Sequence, residues 1–245
     1  MQRLVGLLLL CSLLHLSSSK TFAQSITPLH TDPSLIDPDD EDSLLFAARN
    51  SVPIFLRILL PPGIREGYAL RAYFGGEDFV RFAKGESDQE RMDVILFDAE
   101  KLTHGARSIS LLAAAFGVFE HRYIPLKMPG FVLSIPLTSE TEERFHLRVS
   151  HLPEHIYRAD MNDVDKLQHF FSSAWLKSAL GMDWLVSLAG DFVEIGEETF
   201  LVGGSNDPRD KHANADGLSF GRRLYGTGCE EELDIAPSRF LTPNP

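Results

Sequence analysis

The sharpest chemical pattern in the chain is His151-Leu152-Pro153-Glu154-His155, which has the His-x-x-Glu-His spacing of the inverted zinc peptidases. That chemistry needs both imidazoles on one face of a helix, four residues apart, with the carboxylate between them activating water. Pro153 opposes this arrangement, because its ring would clash with the carbonyl four residues back, at Val149. Glu230, Glu231 and Glu232 supply carboxylates downstream, so a metal-dependent hydrolase built on His151, Glu154 and His155 stands as the alternative reading. No metal site is assigned.

Other groups are read more plainly. Cys229 and the serines lack a Gly-x-Ser-x-Gly elbow or comparable setting, and Gly203-Gly204-Ser205-Asn206 lacks the lysine of a phosphate loop. No catalytic residue and no cofactor is therefore expected. Asp207, Asp210 and Asp216 read as solvated loop carboxylates, and Trp175 and Trp184 as core. Arg222-Arg223 is the one local basic cluster, and paired guanidinium groups grip carboxylates through parallel hydrogen bonds. Asp98 directly follows an apolar strand candidate, at the strand end where open α/β sheets place ligands. Asp98, Arg222 and Arg223 are the expected ligand-binding residues.

The elements that would position these residues alternate. Asp42 or Ser43 caps a short helix through Arg49. Val52–Leu60, closed by Pro61-Pro62-Gly63, reads as a buried strand and turn, and Tyr68–Phe74 as a second strand. Glu77–Lys84 has helical spacing, Met92–Phe97 reads as a strand, and Asp98 opens another helical stretch. Phe131–Ile135 fits a strand, and Phe145, Leu147 and Val149 alternate with polar residues as on a half-wet strand. From Asn162 a long helix runs with Val164, Leu167, Phe171, Ala174 and Trp175 on one face, ended by Gly181. Trp184–Ala189 and Thr199–Val202 look like strands, and a turn-rich stretch follows from Gly203. Strands separated by crossover helices predict an open α/β sheet with parallel neighbours.

Residues 1–23 carry the marks of a cleavable export signal. Arg3 precedes an apolar stretch from Leu4 to Leu14, and Thr21-Phe22-Ala23 suits cleavage before Gln24. Leu10 before Cys11 is too bulky for a lipobox. Losing Arg3 and Lys20 with the signal leaves 21 basic against 35 acidic residues, a net charge of −14, which disfavours nucleic acid. One cysteine, Cys229, would then remain, so no internal disulfide is expected. Residues 24–43 read as a disordered acidic leader, 44–226 as the folded domain, and 227–245 as a flexible tail. No interface pattern is visible, and a monomer is expected.

Three segments carry a family resemblance. Gly85–Phe97 is similar to a glycine, short spacer and Asp-Val strand. Asp165–Ile195 looks like a helix, a Leu-Ala strand and an aromatic segment. Ala215-Asp216-Gly217-Leu218 is similar to an Asp-Leu-x-Gly-Leu step. Together they resemble the first part of a TRAP-transporter periplasmic solute-binding protein, in truncated or diverged form. Gly221 stands where that family has its carboxylate-binding arginine, with Arg222 and Arg223 one and two places on. The resemblance implies a periplasmic-binding-protein-like fold with its second lobe incomplete. It implies a periplasmic receptor that captures a small anionic organic solute and passes it to membrane permease subunits. A non-catalytic envelope interaction protein is the third reading.

Overall fold

A computed structural model describes residues 40–82, 87–128, 131–136, 140–181, 207–224 and 236–242. The leader through residue 39, the strand candidates at 184–189 and 199–202, the glycine turn at 203–204, Trp184, Cys229 and the glutamates at 230–232 lie outside them. The described residues fall within one unit, 36–245.

The expected open α/β sheet does not form. Among the described residues the fold is helical, and strand is confined to one antiparallel hairpin. Nine α-helices are described: α1 (Glu41–Ser51), α2 (Ile54–Leu59), α3 (Ile64–Phe74), α4 (Glu77–Phe82), α5 (Asp88–Thr103), α6 (Arg107–Gly117), α7 (Glu142–His151), α8 (Val164–Leu180) and α9 (Pro208–Leu224). The hairpin joins β1 (Tyr123–Met128) to β2 (Phe131–Pro136), with Tyr123 opposite Pro136 and Met128 opposite Phe131. A 3-10 turn at Pro237–Phe240 follows α9.

Four segments expected as strands are helices or parts of them, each for a visible reason. Met92–Phe97 is the middle of α5, whose buried residues Met92, Ile95, Leu96, Ala99 and Leu102 recur at helical spacing across the whole element. A reciprocal cap nucleates it: Ser87 accepts from the Glu90 amide at 3.2 Å while Glu90 accepts from the Ser87 amide at 2.7 Å. Tyr68–Phe74 lies in α3, which buries Ala69, Leu70, Tyr73 and Phe74, again a helical pattern. Val52–Leu60 contains α2, whose first turn tolerates Pro53 ahead of it. The alternating Phe145, Leu147 and Val149 belong to α7, and the alternation is inverted in space: Arg148 is buried, whereas Leu147 is 43% exposed.

Other expectations hold. The helix read from Asn162 is α8, ended by Gly181 in a left-handed cap at φ 69°. Helix α4 begins at Glu77, β2 covers Phe131–Ile135, and α1 covers the short helix, although its cap is Asp40, accepting from the Ser43 amide at 3.2 Å, and the expected caps Asp42 and Ser43 lie inside its first turn.

Helix α6 is the hub. Its run of Leu111, Ala113, Ala114 and Ala115 is buried, and it packs against α3, α5 and α8. Alanines on this face let the neighbouring helices come close. Two buried arginines secure its far end. Arg148 donates to the carbonyls of Gly117 (3.2 Å) and Phe119 (2.9 Å), and Arg71 to that of Phe116 (3.4 Å). Both also pair with Glu140, at 2.7 Å from Arg71 and 3.0 Å from Arg148. Positive charge at a helix C-terminus complements its dipole and satisfies carbonyls without helical partners.

The closest pairing is α8 with α9. Their contacts advance together along both chains: Lys166 with Asp210, Phe170 with Gly217, Ala174 with Gly221. The two helices are therefore parallel, with both N-termini at one end. A Cβ at Gly217 would overlap the Phe170 carbonyl oxygen, and one at Gly221 would lie 2.5 Å from that of Ala174. The two glycines, four apart on one helical face, are what permit this approach. Phe170, Phe171 and Phe220 fill the seam beside them, each contributing about 1.5–3 kcal/mol by burial.

Candidate functional site

The residues singled out by sequence do not converge. Asp98 is fully buried in α5, where the Lys101 ammonium lies 3.9 Å from its Oδ1 and also meets Glu41 and Asp42 of α1. It is an interior member of the α1–α5 contact. It does not sit at a strand end, because there is no strand there. Arg222 and Arg223 are exposed in the last turn of α9, a helix that packs on α8 and the 3-10 turn. Helices α5 and α9 are not a packed pair.

The His-x-x-Glu-His motif is taken apart by the helix end that Pro153 imposes. Helix α7 stops at His151, and Leu152 turns extended at ψ 153°. His151 places Nδ1 2.8 Å from the Phe74 carbonyl, and His155 places its own 2.8 Å from the Met161 carbonyl. The amides of Glu154 and His155 both donate to Asp88, at 3.2 and 2.7 Å. His151 thus ties the end of α7 to α3, while the amides of Glu154 and His155 fasten the following loop to α5 and the His155 ring meets the loop ahead of α8. No metal-holding group of His, Cys, Asp or Glu occurs among the described residues. A surface hollow of about 450 Å³ is lined by Glu77, Val80, Arg81 and His151.

A different cluster gathers where α8 and α9 begin. Lys166, in the first turn of α8, is 1% exposed, and its ammonium bonds Asp165 and Asp210 and lies 3.2 Å from Asp207. His169, one turn along α8, has Nε2 3.5 Å from Asp210 Oδ1. Arg209 grips Asp207 through two nitrogens and reaches Asp163 at 2.9 Å. Asp163 in turn accepts from the amides of Tyr157 (3.0 Å) and Arg158 (3.1 Å), fixing the loop ahead of α8. Glu120, from the segment between α6 and β1, feels the charges of Asp165, Lys166, His169 and Asp210. The helices and loops that meet here come from three separate parts of the chain.

Two parallel helix N-termini at one end sum their positive dipole ends, so carboxylates collect there. The ionisations follow. Burial works against the charged lysine, yet its bonds to Asp165 and Asp210 hold Lys166 above the usual value. Burial likewise opposes the Asp207 carboxylate, and its bonds to Arg209 and Lys166 win, pulling it well below the ordinary range. Glu120 moves the other way: burial and the Asp165 charge push it up, partly offset by Lys166 and His169. Carboxyl groups at one locus are thus driven apart, as at sites where groups take different roles.

A second polar knot closes the seam. Tyr157 donates to Asp216 at 3.1 Å, and Thr242 donates to the same carboxylate through its amide (3.0 Å) and its hydroxyl (2.9 Å). Burial and then the Asp216 charge raise the Tyr157 phenol. With Ser238 donating to Asp93 of α5 through its amide at 2.7 Å, residues 236–242 are docked across α5 and α9.

No family model matches the chain, and neither a curated protein nor a solved structure is significantly similar to it. The sequence did hold the signal for this site. Asp165-Lys166 and His169 share the face of one helix start, and Asp207 and Asp210 are three apart after Asn206. Reading 203 onward as a turn hid their helix.

Proposed function

We propose that the chain is an exported helical binding protein whose ligand-contacting groups are the accessible rim of the Lys166 cluster. The observation that carries this reading is the saturation of Lys166. Its buried ammonium is held by Asp165, Asp207 and Asp210, which organises the end of the α8–α9 pair. Around it His169, Asp207, Asp165 and Glu120 retain 15–35% of their side-chain exposure. The centre is locked and the rim is available, as expected of a preorganised site.

Acceptors outnumber donors along that rim, so it suits a ligand bearing ammonium or hydroxyl groups. A small organic acid would meet Asp165 and Asp207 and find no free guanidinium beside them. Export rests on the leader at residues 1–23, and with it a periplasmic location. A thermal-shift series with putrescine, glucosamine and succinate tests the reading, because a ligand specific for the native state raises Tm by mass action. A rise with putrescine or glucosamine that disappears in Glu120→Gln supports it. No shift with any of the three at millimolar concentration, or a shift with succinate alone, refutes it.

A second reading, acid–base catalysis, is favoured by the raised Glu120 carboxyl near a histidine whose Nε2 lies 3.5 Å from Asp210. In it Glu120 would donate and His169 accept a proton. Hydrolysis of an ester panel with a bell-shaped pH profile, abolished in His169→Asn, would replace the binding reading.

A further inference from the structure

Helix α2 is the most exposed apolar feature of the described chain. Ile54, Ile58 and Leu59 are 66%, 76% and 75% exposed, on a six-residue helix set between Pro53 and Pro61-Pro62. Basic groups stand beside it in a protein whose overall charge is −12. Arg49 ends α1, Arg57 lies on α2, and Arg65 opens α3. The Arg49 guanidinium is lowered by burial, raised by Glu66, and lowered by the nearby charges of Arg65 and Arg57, so the three sit within one field. Glu66 is the carboxylate among them. It is buried, bonded to the Gly63 amide at 2.7 Å and paired with Arg65 at 2.6 Å. Arg57 reaches back to Asn50 at 3.4 Å. The local balance is three guanidinium groups to one carboxylate.

We propose that α2 docks on the surface of an anionic lipid bilayer, with Ile54, Ile58 and Leu59 entering the acyl boundary and Arg49 and Arg57 lying at the phosphates. No described helix is long and apolar enough to cross a membrane, so the contact is peripheral. Aliphatic side chains with arginines alongside match the layered chemistry of that interface, because guanidinium groups keep their heads at the phosphates while their stems lie in apolar surroundings. Three aliphatic side chains fall well short of the ~800 Å² per partner that a stable protein pair buries. A bilayer sets no such threshold. The acidic remainder of the molecule is repelled by the same surface, which orients the basic tip toward it.

Co-sedimentation of the mature chain, beginning at Gln24, with phosphatidylcholine vesicles, with and without phosphatidylglycerol, tests the proposal. Binding should appear with the anionic vesicles, fall about fivefold in Arg57→Gln, the share of one basic side chain near such a surface, and weaken in high salt. It should vanish in Ile58→Asp. Because Ile58 is largely exposed, that variant should keep the wild-type Tm, which is measured alongside. No binding to anionic vesicles, or equal binding by wild type and Ile58→Asp, overturns the proposal. So does a dimer in sedimentation velocity that Ile58→Asp dissolves, since the patch would then belong to a second copy of the chain.

Discussion

Replacing Lys166 with methionine should unlock the end of the α8–α9 pair, at a cost set by what is left behind. The lysine is 1% exposed and the Asp210 side chain 7%, so removing the ammonium strands Asp210 as a buried charge. Breaking a buried pair from one side costs ~3–5 kcal/mol. The lower end applies, because Asp207 retains Arg209 and Asp165 is about one-third exposed. A loss of about 3 kcal/mol lowers Tm by roughly 6–12 °C in a protein of this size. The variant also reports the mechanism through pH. Acid neutralises a stranded carboxylate and the penalty shrinks, so the Tm gap to wild type should narrow on acidification. Lys166→Met combined with Asp210→Asn should recover most of the loss, since neither charge then remains alone. The assay is thermal unfolding by circular dichroism at pH 7 and pH 4. A gap under ~2 °C at neutral pH, or one equally large at both pH values, would refute the reasoning.

Three further outcomes follow from the same structure. Gly217→Ala drives a methyl into the Phe170 carbonyl, and although alanine favours the helix by about 1 kcal/mol, strain of ~1–3 kcal/mol or more should prevail and lower the denaturation midpoint in urea. Glu140 is desolvated, yet its bond to Arg71 and the charge of Arg148 hold its carboxyl below the usual value. Its stabilisation is therefore complete above about pH 4.5 and lost as pH falls through the depressed value, so Glu140→Gln should flatten the acid limb of the stability curve. Mass spectrometry of protein secreted by a bacterial host should find an N-terminus at Gln24; retention of residues 1–23 would contradict export.

Periodicity revealed elements whose apolar face was long and clean. In α8 the apolar stripe runs from Val164 to Ala174 and a glycine stops it, and that stripe is buried, although Lys166, Ser173 and Lys177 are buried with it. In α5 the stripe is interrupted by Val94, partly buried against the core, and by Phe97, apolar but 55% exposed. A window limited to Met92–Phe97 therefore looks like a buried strand. Helix α7 misled for the opposite reason: its buried residue is Arg148, where burial drags the guanidinium down to about 10, the Arg71 charge adds to this, and Glu140 opposes it. No hydropathy pattern marks an arginine as core. Helix α9 carries Asn214, Asp216, Gly217, Ser219 and Gly221 through its middle, weak helix formers that read as turns. Its helical state depends on the tight seam that Gly217 and Gly221 allow. The cluster at Lys166 was concealed with it, since Asp207 and Asp210 lie at the start of that helix. Asp98 stands at a position of consequence, but as an interior partner of α1.

Calorimetric titration of putrescine and of glucosamine into wild type and into a Glu120→Gln, His169→Asn double variant addresses the binding claim most directly. The account predicts saturable binding of at least one of them to wild type, and its loss in the double variant with a Tm that stays near wild type. Equal affinity in both proteins, or no heat with either compound, would contradict it.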